Sequence, residues 1–254
     1  MYEEITYLIN GCLFKIYNKI SNIWNEEIYE KALEYELRSK GMRVERQKKF
    51  EVFYFDRCVG NFRVDLLVDG KIIIEVKATD RISQLHKAQL LSYLKGFDKQ
   101  IGVLANFGAS SVENLTFPNY MKNTSLKRFD YDKIRLPQKE RIKDLLFIGD
   151  RILSTLGPGY FHHIYRRSFF YELRNQNIDF DSVKELTAYY NNTEVGKKDV
   201  NFFRIGDLLL SAVAVRQLND LILFKFRNCM RYLKCKRGLI FNFNSTTLDF
   251  RYFE

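Results

Sequence analysis

An internal repeat restricts the fold of this chain more than any other feature. Residues 5–44 laid over 141–180 keep one offset, along which Ile28-Tyr29 meets Ile164-Tyr165 and Tyr35-Glu36-Leu37-Arg38 meets Tyr171-Glu172-Leu173-Arg174. The same order returns later. Tyr93-Leu94-Lys95 answers Tyr232-Leu233-Lys234, and Gly102 with Asn106-Phe107 answers Gly238 with Asn242-Phe243. A period of about half the chain is too long for a solenoid and implies a duplicated domain. Residues 108–137 have no counterpart, are rich in Asn, Ser, Lys and Asp, and contain Pro118 and Pro137. They read as a linker, which gives domains over 1–108 and 138–254 with a connection over 109–137.

Within the first copy, Ile5, Leu8, Ile9, Cys12, Leu13 and Ile16 recur at helical spacing. Ile28, Ala32, Leu33 and Leu37 repeat that pattern before Gly41 stops the second helix. Val44 to Phe55 and Cys58 to Val68 read as strands, Asp69-Gly70 as a turn, and Lys71 to Lys77 as an apolar strand. Ile82 to Leu94 returns to the helical period, and Ile101 to Asn106 is a short buried strand. Helices, three strands, a helix and a strand indicate a mixed α/β layer fold.

The 254 residues carry a formal net charge of +10, which favours polyanionic partners such as nucleic acid. The first residues, Met1 to Leu8, lack the basic-then-apolar pattern of a secretory leader. No stretch reaches the roughly 18 apolar residues of a membrane span. Cys12, Cys58, Cys229 and Cys235 are too scattered for a disulfide framework or paired metal knuckles. A cytoplasmic protein without a membrane partner is the expectation.

Glu75 and Lys77 lie two apart in Ile72-Ile73-Ile74-Glu75-Val76-Lys77 and therefore share one strand face. On an edge strand they would be an ordinary surface pair, but Ile72 to Ile74 argue for a central one. There, both are costly to bury without a partner or a purpose. With Asp65 alongside, two carboxylates would suit a hard cation such as Mg²⁺, and the Lys could orient water or stabilise charge on a phosphate. A two-residue turn at Asp69-Gly70 would send Asp65 and Glu75 to opposite faces, so a bulge or a longer turn is expected.

Asp65, Glu75-x-Lys77 and a following Gln89-x-x-x-Tyr93 helix together resemble the PD-(D/E)XK nuclease superfamily. The surrounding residues are similar to its GxxExxY branch. In Ile23-Trp24-Asn25-Glu26-Glu27-Ile28-Tyr29 the Glu and Tyr of that signature match, while Ile23 replaces its Gly. The second copy keeps the Gly in Leu156-Gly157-Pro158-Gly159 and has His162 where Glu26 sits. The resemblance implies a restriction-endonuclease-like fold, with a central mixed β-sheet flanked by helices in each copy. It also implies a nuclease that uses Mg²⁺ or Mn²⁺ and acts on DNA in preference to RNA. Glu26, Asp65 and Glu75 would hold the metal, Lys77 would serve catalysis, and Gln89 and Tyr93 would meet the substrate backbone. His86 lies on the same helix face. Two plainer roles stay open: Glu26 as a first-turn acid complementing the helix dipole, and Gln89 with Tyr93 as an i, i+4 packing pair.

Following the repeat, Asp65 falls at Gly206 or Asp207, Glu75 at Ala214, Lys77 at Arg216, His86 at Lys225 and Gln89 at Asn228, so no complete metal site survives. His162, His163 and Asp207 offer only an improvised one. No acid intervenes between Asp220 and Asp249, and Lys225, Arg227, Arg231 and Lys234 are candidates to follow a phosphate backbone, with Arg227, Arg231 and Lys234 on one helical face. Phe224, Phe226 and Tyr232 are expected in the core, and Tyr29 and Tyr35 in the core or at its rim. The tandem copy would then imitate a partner subunit, as a monomeric pseudo-dimer or within a homodimer. The alternative is a catalytically inactive nucleic-acid-binding or regulatory protein on the same fold.

Overall fold

The computed structural model describes residues 2–120, 125–131 and 139–254, and the chain divides into two compact units, Met1–Thr124 and Ser125–Glu254. The first unit runs α1 (Tyr2–Ile20), α2 (Glu26–Ser39), β1 (Val44–Tyr54), β2 (Arg57–Val68), β3 (Ile72–Lys77), α3 (Gln84–Gly96), β4 (Ile101–Asn106) and β5 (Glu113–Pro118). The second repeats that order as α4 (Lys139–Leu156), α5 (His162–Asn175), β6 (Asp181–Tyr190), β7 (Thr193–Ile205), β8 (Leu208–Val213), α6 (Asp220–Tyr232), β9 (Arg237–Asn242) and β10 (Asp249–Phe253).

Each unit holds one five-stranded mixed sheet, ordered β1-β2-β3-β4-β5 and β10-β9-β8-β7-β6. The central pairs β3–β4 and β8–β9 are parallel, so α3 and α6 are the crossovers, while the remaining pairs are antiparallel. Helices α1 and α2 cover one face, where Ile9, Leu13, Tyr29 and Leu33 pack with Leu66, Ile72, Ile74, Val76 and Phe107. Helix α3 covers the other face, and Leu90 lies so close to Gly102 that an added Cβ would sit 2.7 Å from its side chain. The second unit repeats this close approach, with Met230 over Gly238.

The repeat is also kept in its internal fastenings. Tyr29 stacks on Phe107 with centroids 4.3 Å apart, and Tyr165 on Phe243 at 4.4 Å. Each Tyr hydroxyl donates to the carbonyl that ends the preceding helix, that of Ser21 or Gly157. Asn106 accepts from Thr79 N–H and Gly108 N–H and donates to Glu113, and Asn242 accepts from Val215 N–H and Asn244 N–H and donates to Asp249. Lys15 pairs with Glu36, and Arg151 with Glu172. Buried polar groups must be partnered, so the two Asn side chains hold loops against the strand ends, while the Lys15–Glu36 and Arg151–Glu172 pairs tie the first helix of each unit to the second.

Several expectations need correction. The segment 109–137 is not all linker, because Glu113–Pro118 completes the first sheet and residues from Ser125 onward group with the second unit; its positions 121–124 and 132–138 lie outside the described residues. Helix α3 matches α6 residue for residue at an offset of 136, so the counterpart of Tyr93 is Cys229, that of Gln89 is Lys225 and that of His86 is Ile222. Pairing of β8 with β9 puts Ser211 in the place of Glu75 and Val213 in that of Lys77. The resemblance of Tyr93-Leu94-Lys95 to Tyr232-Leu233-Lys234 was a three-residue slip. Phe226 is buried, but Phe224 and Tyr232 are exposed, as is Tyr35, whereas Tyr29 is fully buried. Lys234 stands beyond the end of α6 with φ 54°, off the helical face that Arg227 and Arg231 share. All four cysteines are free thiols, and among the described residues no helix is long and apolar enough to cross a membrane.

Truncation of Asn106 to Ala should destabilise the first unit by on the order of 3 kcal/mol, because several buried polar groups lose their partner together. Asn242→Ala should do the same to the second, and hydrogen exchange followed unit by unit would separate the two effects.

Candidate active site

The site forms where β2 and β3 run side by side under α3. A three-residue connection, Asp69-Gly70-Lys71, separates the paired residues Val68 and Ile72, and the ladder continues to Leu66 opposite Ile74. One further step aligns Asp65 with Glu75, so both carboxylates take the face opposite Ile74 and Val76. The longer turn expected from the face problem is therefore present. Asp69 and Gly70 both have positive φ, 50° and 63°, a conformation that Gly adopts freely and Asp tolerates.

Glu75 is 1% exposed on a central strand. Its Oε1 accepts from Lys77 Nζ at 2.9 Å and from Gln89 Nε2 at 2.7 Å. Its Oε2 is buried without a hydrogen-bond partner. Burial, and then the nearby Asp65 charge, push the Glu75 carboxyl up to about 8. Asp65 accepts from the Val76 backbone N–H at 2.8 Å and from Gln47 Nε2 at 3.4 Å. Burial pushes it up to about 6, against the opposing effect of the Val76 hydrogen bond.

Lys77 is 7% exposed, and burial works against its charge. The Glu75, Asp65 and Glu26 carboxylates more than offset that cost and hold the ammonium above its ordinary value. Glu26 opens α2, whose N-cap Asn25 accepts from Ile28 N–H. From there its carboxylate lies 3.9 Å from Lys77 Nζ and 3.4 Å from the Ala78 backbone N. Gln89 also donates to the Tyr93 hydroxyl at 2.9 Å, which fixes the amide over Glu75.

Of the sequence candidates, Asp65, Glu75, Lys77, Gln89 and Tyr93 are thus brought together, with Glu26 at the edge. His86 has a local task. Its ring Nδ1 accepts from Ser83 N–H while the His86 backbone N–H donates to Ser83 Oγ, closing a capping box on α3. Burial and the Lys77 charge lower its pKa. Among the described residues no group of three or more His, Cys, Asp or Glu side chains could hold a metal ion by itself. The expected triad of metal acids is consequently two close carboxylates plus Glu26 across Lys77. The same holds for His162, His163 and Asp207, since Asp207 is paired with Arg237.

Two contributors were missed from sequence. Glu30, buried and accepting from Gln47 Nε2 at 2.5 Å, adds negative charge beside Asp65. It lies four residues after Glu26, a same-face spacing that could have revealed it. Gln47 sits in β1 with φ 56°, an irregularity that no residue pattern announces.

A profile of the PD-(D/E)XK nuclease superfamily matches residues 3–116 and again 140–252. The chain belongs to that superfamily. Its two tandem nuclease-like copies correspond to the two structural units. No curated protein matches the chain. Among the solved structures that match, that of SSO0001 aligns at 22% identity with a TM-score of 0.31 over 36% of this chain. The alignment takes in 48% of that protein, about half its length.

Because both site carboxyls are raised, the folded state binds protons that the unfolded chain releases near pH 4. Stability from these groups is complete below that pH and is lost as pH rises through 6 and then 8. In EDTA, urea midpoints of the wild type should fall between pH 5 and pH 8 relative to Glu75→Gln. Parallel pH profiles for the two proteins would refute the assignment.

Proposed function

We propose that the chain is a divalent-metal-dependent nuclease, hydrolysing phosphodiester bonds in DNA ahead of RNA at its first copy. The reading rests on one observation above the others: the buried Glu75 Oε2 has no hydrogen-bond partner, Glu75 Oε1 is already fixed by Lys77 and Gln89, and a second carboxylate, Asp65, lies opposite on β2. A buried carboxyl oxygen without a hydrogen-bond partner is what a hard cation satisfies, displacing the proton, and oxygen donors suit Mg²⁺ or Mn²⁺. When bound, such an ion would polarise a phosphate and acidify an attacking water.

The chain's own groups supply the rest. Asp65 and Glu75 would hold the cation. Lys77 would set its ammonium against charge developing on the phosphate or orient the attacking water. Glu26 would act across Lys77, keeping the ammonium charged and aimed. Gln89 and Tyr93 would position Glu75 and meet the substrate backbone. This role assignment follows the GxxExxY-like signature around Glu26 and Tyr29. In the second copy the counterparts of Glu75 and Lys77 are Ser211 and Val213, which supports a non-catalytic role there.

Wild type, Asp65→Ala with Glu75→Ala, and Lys77→Ala should be incubated with labelled single- and double-stranded DNA and RNA in Mg²⁺, Mn²⁺ or EDTA. The expected result is cleavage that requires metal and vanishes in the double variant. Lys77→Ala should lose on the order of 10²-fold in rate. Salt-sensitive binding without cleavage in any protein would favour the inactive binding module instead.

Proton release on metal binding follows from the same geometry. Mn²⁺ affinity of the wild type, measured by calorimetry, should strengthen from pH 6 to pH 8 as the carboxyls ionise. Affinity that does not change with pH would contradict metal binding at Glu75.

A further inference from the structure

In the second unit the counterpart of the acidic wall has reversed its charge. Residues 166 and 167 of α5 match Glu30 and Lys31 of α2 at the offset of 136. Arg166 thus stands in the place of Glu30. The pair Val183–Phe202 occupies the place of Gln47 and Asp65, because Phe202 faces Ser211 as Asp65 faces Glu75. Glu34 becomes Phe170, and Gln89 becomes Lys225. Where the first unit gathers carboxylates, the second gathers cations.

These residues enclose a cleft of about 470 Å³ lined by Arg166, Arg167, Lys184, Asp199, Asn201 and Phe202, among others. Asp199 is the acid on its wall, against the cations Arg166, Arg167 and Lys184. Arg166 is half-buried, yet among the described residues it makes no hydrogen bond or ion pair. Burial, and then the charge of its neighbour Arg167, work against its own charge. A partly desolvated guanidinium beside like charge is unfavourable unless an anion joins it. A guanidinium offers a planar fork of donors that matches phosphate oxygens.

We propose that the cleft between α5 and the β6–β7 hairpin is an anion site that takes a phosphate group, with Arg166 as its principal donor and Arg167 and Lys184 beside it. Asn201 adds an amide, and Phe170 and Phe202 form an apolar wall against which a sugar or base can lie. The phosphate could belong to a nucleic-acid strand or to a small phosphorylated molecule. Such a site goes beyond the proposed cleavage, since it needs neither metal nor turnover in the first unit.

The test uses the full chain in EDTA, so that cleavage plays no part. One arm follows a labelled single-stranded oligonucleotide by fluorescence anisotropy, and the other follows inorganic phosphate by calorimetry. Arg166→Gln should weaken oligonucleotide binding about tenfold and lower the slope of log affinity against log salt by about 0.7, the loss of one strand phosphate contact. Lys40→Gln, which removes the same charge at the far end of α2, should change little. Lys184→Gln, on an exposed strand position, keeps the question answerable if Arg166→Gln does not fold, and should weaken binding several-fold. Loss of phosphate binding in Arg166→Gln with oligonucleotide affinity intact would assign the cleft to a small phosphorylated ligand. Equal weakening by Arg166→Gln and Lys40→Gln, or no effect of Arg166→Gln and Lys184→Gln in either arm, would overturn the site. Failure of the nuclease reading would show separately, as absent cleavage in Mg²⁺ or Mn²⁺ with this binding unchanged.

Discussion

A carboxylate buried on a central strand is the constraint around which the first unit is arranged. Glu75 cannot stay in an apolar layer without partners, and two of its neighbours tie in other elements. Lys77 comes from the same strand face. Gln89 ties the middle of α3 to the sheet, and Asp65 comes opposite only because the β2–β3 connection is three residues long. A connection one residue shorter, with β2 otherwise unchanged, would turn Asp65 into the helical layer beside Val76. The second unit has the shorter connection, Gly206-Asp207 between Ile205 and Leu208, and it has no carboxylate pair to align.

The duplicated units show which interactions belong to the fold and which to the chemistry. Tyr29 and Tyr165, Asn106 and Asn242, and the Lys15–Glu36 and Arg151–Glu172 pairs recur at matched positions. They fasten loops and helices around each sheet and persist whether or not the site does. The residues of the candidate site do not recur: Glu26, Glu30, Asp65, Glu75 and Lys77 are met by His162, Arg166, Phe202, Ser211 and Val213. A site stripped of its acids is free to take charge of the other sign.

Legibility in the sequence followed the physics of each position. Glu75 and Lys77 could be found because spacing along a strand reports directly on a shared face, whereas Asp65, Gln89 and Tyr93 were reached through their resemblance to the PD-(D/E)XK motif. Glu30 was within reach of helical spacing, while Gln47 was not, since no residue pattern around it marks a positive φ inside β1. The strand Glu113–Pro118 was hidden because it is an edge strand with a half-exposed, polar composition. The basic ridge on α6 was read too regularly. Lys225 projects from the side of the helix away from Arg227, whose guanidinium lies over the Phe253 ring, and Lys234 has left the helix.

The sequence by itself determined the duplication, the alternation of helices and strands, and the candidate catalytic residues of the first copy. The first two depend on periodicity and local spacing, and the candidate residues on their resemblance to a family motif, all of which survive as text. Only the tertiary structure decided the alignment across the second copy, where one residue is gained in the β6–β7 hairpin and one lost in the turn before β8. It also decided that Asp65 and Glu75 meet, that Glu75 Oε2 is left without a partner, and that Arg166 stands where Glu30 does. Strand register and burial are set by contacts between segments distant in the chain, and residue spacing along one segment carries no record of them.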